Sequence, residues 1–535
     1  MKKLLLYCWL LLITFAAPAL AQVQYSVGNF MRYGNGDQVI GGESRAKEYI
    51  ENQTNVRLFW DNFTIGFEYL YDDPPEFGPN FNGIRKRYVE FSRQGLELRA
   101  GDFYTLFGKG LAMNLFENRG INYDTRLDGL RGSYRNDFVN AIFAMGKMRY
   151  YDLLNSERIE TYSVKSGHLE IKPLEFLRIG GSIVGADGEL PVAFGIDQVH
   201  ADIPELMASL RGLGFELFMQ QAWKRTTFLQ PTADGTFASG SSNGDALYGS
   251  LSYTADFGLG VTVEYKDYSF DTVGEEERDP NRPSRMLPMQ NPPIVHKEHY
   301  FTLLSRNPHV VDFNDEVGMQ VDVFYSLTPE ITLNLNGAAA SRHFGYTSRN
   351  GFLVTYEREN SIMPTMDEKF SPFWELYGEV EWYYDGQSYV RAAFNRRYDA
   401  PYEGNLAHEQ SSTTIPIRVE HMLSDEYSVG VSVESQLYHD SFSRESPEYF
   451  NEYISLTFAR AAQWSATVRM EYTTDKTDAT GKDFWRTIEF AYRLGNDHIA
   501  TISYGTERGG LVCTSGICRE ILPFDGVRIS LLSQL

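Results

Sequence analysis

Cys513 and Cys518 bracket Thr514-Ser515-Gly516-Ile517 near the end of the chain. A tight turn centred on Ser515-Gly516 brings two such cysteines opposite each other, within the Cα separation that a disulfide needs. Zinc asks for four ligands, and the only other cysteine, Cys8, lies in the amino-terminal segment. In an exported protein the pair is expected to be a disulfide that stiffens its loop, with free thiols as the alternative. His296, His299 and His309, with Asp312 and Asp315 close by, form the second concentration of ligand-type side chains. Three histidines on one polar loop read as solvated or bonded to nearby backbone, so neither a metal nor any other cofactor is expected. Gly240-Ser241-Ser242-Asn243-Gly244 fits the G-x-S-x-G pattern of serine hydrolases. That motif works only at a strained strand-to-helix elbow, whereas here it reads as a flexible Ser/Gly-rich loop. With no convincing nucleophile or acid–base cluster, no catalytic residue is assigned and the protein is not expected to be an enzyme.

The remaining charges follow a different rule. Glu68, Arg99, Asp322, Arg469 and Arg528 each stand between apolar neighbours, and Lys266 and Glu434 each follow one, at a spacing of two, the period of a β-strand. Mixed signs on one face read as a hydrated interior held by cross-strand ion pairs rather than as a selectivity lining. In Phe524–Leu535, Val527, Ile529, Leu531 and Leu535 point one way, and Gly526, Arg528, Ser530 and Gln534 the other. A last strand with an apolar outer face beside lipid cannot leave its amides unpaired, so it must pair with the first strand and close the sheet.

The connections order these strands. Tight turns fall at Asp61-Asn62, Arg93-Gln94-Gly95, Asn136-Asp137, Lys172-Pro173, Gly212–Gly214, Asp256–Gly258, Thr328–Glu330, Asp385-Gly386, Ser424-Asp425, Ala461-Ala462 and Gly495-Asn496. Between them come longer polar excursions, among them Gly34–Gly42, Thr226–Asn243, Asp271–Phe313 and Gly345–Ser371. Strict alternation of short and long connections puts every short turn on one side of a membrane, which tandem soluble β-domains would have no reason to do. The chain therefore reads as all-β: a single closed antiparallel transmembrane β-barrel of about 24 strands, within a range of about 20 to 26, with short periplasmic turns and long extracellular loops. Lys2 and Lys3, the apolar run Leu4–Ala17 and Ala19-Leu20-Ala21 form the three parts of a cleaved secretory signal. Residues 1–21 are thus expected to be removed and 22–535 to form the barrel in the outer membrane. A formal net charge of −22 argues against nucleic acid as a partner.

Three stretches resemble one family. They are GDFYTLFGKGLAMNLFENRGINYDTRLDGLRGSY (Gly101 to Tyr134), NPPIVHKEHYFTLLSRNPHVVDFNDEVGMQVDV (Asn291 to Val323) and RGGLVCTSGICREILPFDGVRISL (Arg508 to Leu531). They are similar to an uncharacterised outer-membrane barrel family of Bacteroidota-type bacteria, known only as a domain of unknown function. The resemblance implies a barrel of unknown activity over the whole mature chain and brings no catalytic residues with it. Leu535 departs from the aromatic residue that ends many outer-membrane barrels.

A barrel this wide would leak if its lumen were empty. With the first strand expected directly after the signal, obstruction must come from loops, chiefly Phe107–Asn122. Gly108 and Gly110 let the backbone bend sharply. Leu111, Met113, Leu115 and Phe116 would be badly placed in water, and Glu117 and Arg119 could pair with lumen charges. The leading expectation is a pore or channel for solutes or exported polymer with a loop-obstructed lumen, surrounded by outer-membrane lipid. The alternative is a non-transporting scaffold that docks envelope lipoproteins or soluble periplasmic proteins. A barrel-embedded hydrolase ranks third.

Overall fold

Twenty-four strands hydrogen-bond into one antiparallel sheet, and the first of them, Gln24–Ile40, pairs with the last, Phe524–Gln534. The closing ladder runs from Gly28↔Gln534 to Gln38↔Phe524, and Val27 and Leu535 exchange two further backbone bonds of 2.9 and 2.8 Å. The sheet is therefore a closed antiparallel barrel in which each strand has a partner on both sides, the condition for placing β-structure in lipid. The computed structural model describes residues 23–535 except 41–42, 77, 152–158, 193–194, 233, 271–286, 350–351, 359–360, 404–405, 444, 479 and 515–516. The expected signal, residues 1–21, lies outside the described residues.

Alternation along the strands separates two surfaces. In Ile159–Leu174, Leu169 and Ile171 are exposed while Ser166 and His168 are buried; in Gly195–Gly212, Leu206 and Leu210 are exposed while Glu205 is buried. Large apolar side chains left bare on the outside and polar ones covered on the inside invert the soluble pattern, as a lipid-facing wall requires. Inside, charges pair across strands: Arg99 with Glu90 at 3.3 Å, Arg469 with Glu489 at 3.0 Å, and Glu97 with Arg131. Near one rim, Tyr427, Phe458, Trp464, Phe490 and Tyr492 make a chain of ring contacts with centroids 5.6 to 6.5 Å apart.

Eleven connections of two to five residues occupy the rim that also carries both ends of the barrel. All eleven expected turns are found there, ten at the expected residues. The exception is Lys172-Pro173, because the strand runs on to Leu174 and turns at Glu175-Phe176. Proline lacks the amide a ladder needs, and the strand absorbs it in a register shift between Ile171 and Leu174 rather than ending there. Two expected excursions are continuations of barrel strands instead. Gly34–Ile40 belongs to the first strand, and Thr226–Pro231 and Phe237–Asn243 belong to a hairpin whose tip is residues 232–236. Their exposed faces carry polar side chains such as Asn35, Asp37, Ser239 and Ser241 in place of apolar ones, so no apolar alternation marks them as strand. The G-x-S-x-G residues lie in that hairpin, with Ser241 opposite Thr227, in a continuous ladder with no elbow.

Candidate functional site

The long loops at the opposite rim do not all project away from the barrel. Segment 104–126 leaves the fifth strand, Leu96–Phe103, and returns as the sixth, Leu127–Arg135, and in between it folds inward. Gly108 (φ 53°) and Gly110 (φ 99°) take left-handed conformations, so a side chain at either would be strained. Phe107 N–H donates to the Met113 carbonyl at 2.9 Å, and Leu115 N–H to that of Thr105 at 2.9 Å, closing a compact hairpin. Phe107, Leu111 and Met113 are fully buried and Leu115 nearly so. They pack on inward-facing Ala144, Met148, Tyr162, Val164, Val184, Ile203, Ala222 and Tyr248, one continuous apolar cluster. Each such side chain contributes about 1.5–3 kcal/mol when taken out of water.

Polar contacts fix the position of this hairpin. Lys109 N–H donates to Gln220 at 2.7 Å, and Ala112 N–H donates to Glu205 at 3.0 Å. Glu205 also accepts from Ser182 at 2.6 Å. Phe107 stacks on His168 with centroids 5.1 Å apart. Further along, half-buried Phe116 meets Tyr123 at 4.8 Å, Glu117 binds Arg85 at 2.6 Å and also Lys86, and Arg119 pairs with Glu51. Burial, with Arg32 nearby, lowers Arg119 to about 10. Burial alone would raise Asp124, but Arg126 and Arg85 outweigh it and hold the carboxyl below its ordinary value.

A second segment, 287–315, enters the barrel from the same rim. Asn114 N–H donates to the Met289 carbonyl at 2.8 Å, Asn114 Nδ2 to that of Asn291 at 3.0 Å, and Tyr123 Oη to that of Pro288 at 3.0 Å. Its far end is held by the other wall. Glu434 accepts from the amides of Thr302 and Leu303 at 3.0 and 2.7 Å, Gln436 donates to the Leu303 carbonyl at 3.0 Å, and Arg306 pairs with Glu471. Glu205 and Gln220 lie on the tenth and eleventh strands, Glu434 and Glu471 on the nineteenth and twenty-first. The two segments, bonded to each other, thus span the interior.

The three histidines belong to this second segment. His299 meets Glu375 at 2.9 Å, and His309 lies between Asp399 at 2.7 Å and Glu316 at 3.4 Å. His299 and His309 are thus anchoring groups with carboxylate partners, not the solvated or backbone-bonded side chains expected, while the His296 ring packs edge-on against His309 and Phe373. Burial pulls the His309 imidazole down, but Asp399 and Glu316 outweigh it and raise it to about 9; burial and cationic His309 push His296 down. Among the described residues no group of three or more His, Cys, Asp or Glu is placed to hold a metal. The signal that could have revealed this segment is the one used for the first: Leu287, Met289, Val295, Val311 and Phe313 are too apolar for a wet loop, and all are buried. Cys513 and Cys518 stand directly opposite each other in the ladder between Gly510–Thr514 and Ile517–Ile521, and their side chains lie outside the described residues.

No curated protein matches the sequence. Among solved structures, the siderophore receptor PirA from Pseudomonas aeruginosa aligns with a TM-score of 0.47 at 9% identity, over 95% of this chain and 80% of that one. The copper transporter OprC aligns at 0.45 and 8% identity, over 96% and 80% of the two chains. For the ferric citrate transporter FecA the values are 0.43 and 10%, over 96% and 79%. One family model matches the entire sequence, residues 1–535, and the protein belongs to that family, the Family of unknown function (DUF6029).

Proposed function

We propose that the protein is a non-enzymatic outer-membrane channel, for solutes or exported polymer, closed at rest by segments 104–126 and 287–315 acting together. In this reading the short turns face the periplasm and the inserted segments enter from the cell exterior. The observation that carries it is the bond from Asn114 N–H to the Met289 carbonyl, since it joins two segments anchored on opposite walls. A loop merely folded over the mouth would not bury Phe107, Leu111 and Met113 against inward faces of the wall. Large barrels without such filling hold a continuous aqueous path.

Conductance in planar bilayers tests the reading. The full chain should give few and small current steps, whereas a variant with residues 107–115 replaced by glycine and serine should give steps several-fold larger. Retained heat-dependent gel mobility would show that the variant still forms the barrel. Equal conductance of the two folded proteins would exclude this segment as the gate. If neither conducts and envelope lipoproteins or periplasmic proteins co-purify, the chain is instead a docking scaffold.

A further inference from the structure

Two strands of the wall are short. Leu96–Phe103 and Leu127–Arg135 span eight and nine residues, whereas the flanking strands Phe81–Arg93 and Val139–Tyr151 each span thirteen. The register shows where the shortfall lies. Tyr88 pairs with Gly101, Phe103 with Leu127 and Lys147 with Asp128, so residues 81–85 of one flank and 149–151 of the other continue toward the loop rim with no wall between them. The gap is filled only partly, by the 119–126 part of the first inserted segment, and a cavity of about 340 Å³ remains in it.

The gap begins at a particular height. Val89, Ala100, Leu130 and Met145 form one cross-strand row, and the three large side chains are exposed on the outer face. One step toward the loop rim the outward row is Arg87, Asp102, Asp128 and Lys147, with Arg87 N–H donating to Asp102 at 2.7 Å. The apolar belt ends between these rows, so the cavity opens at the level where lipid headgroups begin.

Its lining sets six cationic side chains against four carboxylates, Asp72, Asp102, Asp124 and Asp128, an excess of positive charge that is unusual for so acidic a chain. Arg85 and Arg126 are committed: Arg85 to Glu68, Glu117 and Asp124, and Arg126 to Asp102 and Asp124. Arg87 has only a 4.0 Å contact with Asp128. Among the described residues Lys147 and Arg149 have no ion-pair partner, and Arg119 Nη1 is buried with no hydrogen-bond partner. Four cationic heads with uncommitted donors therefore line one cavity, beside exposed Ile84 and Tyr151. Guanidinium and ammonium groups converging in a partly enclosed cleft select an anion of more than one charge, and the guanidinium fork matches phosphate oxygens in pairs.

We propose that this side cleft, built by Arg87, Arg119, Lys147 and Arg149 where two wall strands stop short, is a binding site for a phosphate-bearing ligand. The site stands whether or not the inserted segments close the lumen, since three of its four cations belong to the wall. The phosphate comes either from a solute or from the headgroup of an outer-leaflet lipid, and the ligand's other atoms lie over Ile84 and Tyr151.

The full chain tests this in two arms. In detergent, inorganic phosphate and glycerol 3-phosphate are titrated calorimetrically. In phosphatidylcholine nanodiscs with and without phosphatidic acid, retained lipid is counted by native mass spectrometry. Lys147→Gln with Arg149→Gln should weaken binding at least tenfold in whichever arm the parent binds, and Arg87→Gln alone should weaken it by a smaller factor. Arg178→Gln, at the opposite rim, should leave it unchanged. Binding confined to the first arm identifies a soluble phosphate, and binding confined to the second a headgroup. The proposal is overturned if the parent binds no phosphate probe in either arm, or if the heat-modifiable double variant binds as tightly as the parent.

Discussion

His309 ties the second inserted segment to the wall through two carboxylates, and its charge sets a pH window. Its folded value, about 9, lies above the ordinary imidazole value of 6.5, so the native state holds the proton more tightly than the unfolded chain does. The stabilisation is therefore complete below about 6.5 and is lost as pH rises through about 9. On the acid side the depressed His296 acts in the opposite sense, weakening the native state as pH falls below 6.5. Protease protection of residues 287–315 in the folded protein should accordingly fall between pH 7 and pH 10. His309→Gln, which leaves Asp399 and Glu316 without their cation, should cost about 3–5 kcal/mol of docking at pH 7 and abolish the alkaline step. An unchanged step in that variant would assign the titration elsewhere.

At the scale of the element, the gate depends on how tightly a hairpin can turn. A Cβ on Gly110 would lie 2.7 Å from the Asn291 carbonyl oxygen, in a backbone conformation at φ 99° that side chains rarely adopt. Gly110→Ala should therefore push the two segments apart, costing about 1–3 kcal/mol of strain and raising open probability in bilayers while heat-dependent mobility stays that of the parent. Unchanged gating would mean that the contact with Asn291 does not hold the gate shut. The first segment could be read from sequence because Gly108, Gly110, Leu111 and Met113 conflict with a wet loop on local grounds alone. The turns were legible for a similar reason: Asp61-Asn62, Gly495-Asn496 and their counterparts are residue types that tight turns demand. Segment 287–315 carries the same apolar signal in Leu287, Met289, Val295, Val311 and Phe313, but the contacts of its histidines were not legible, because Glu375 and Asp399 lie on later strands and leave no local pattern. Strand ends such as Gly34–Ile40 were also hidden, since the polar side chains Asn35 and Asp37 on the exposed face erase the apolar period of two.

At the scale of the whole molecule, closure depends on a single ladder, Gly28–Gln38 against Phe524–Gln534. Removing the chain from Phe524 onward strips the partner from both Gln24–Ile40 and His498–Glu507. Two open edges facing lipid would leave a row of amides unsatisfied, each costing several kcal/mol. The truncated protein should therefore yield no heat-modifiable species on refolding into detergent, where the full chain does; recovery of that species would show that closure is dispensable. The way the first inserted segment is attached has a further effect. It is tethered at both ends, to Phe103 and Leu127, which pair with each other on neighbouring strands. It can neither be shed nor threaded through to the turn rim. It can only swing like a bucket handle, with a reach of half its contour, roughly 40 Å for residues 104–126. An open passage would always keep that handle at its entrance, so its bore would be set by where the handle comes to rest rather than by the girth of the barrel.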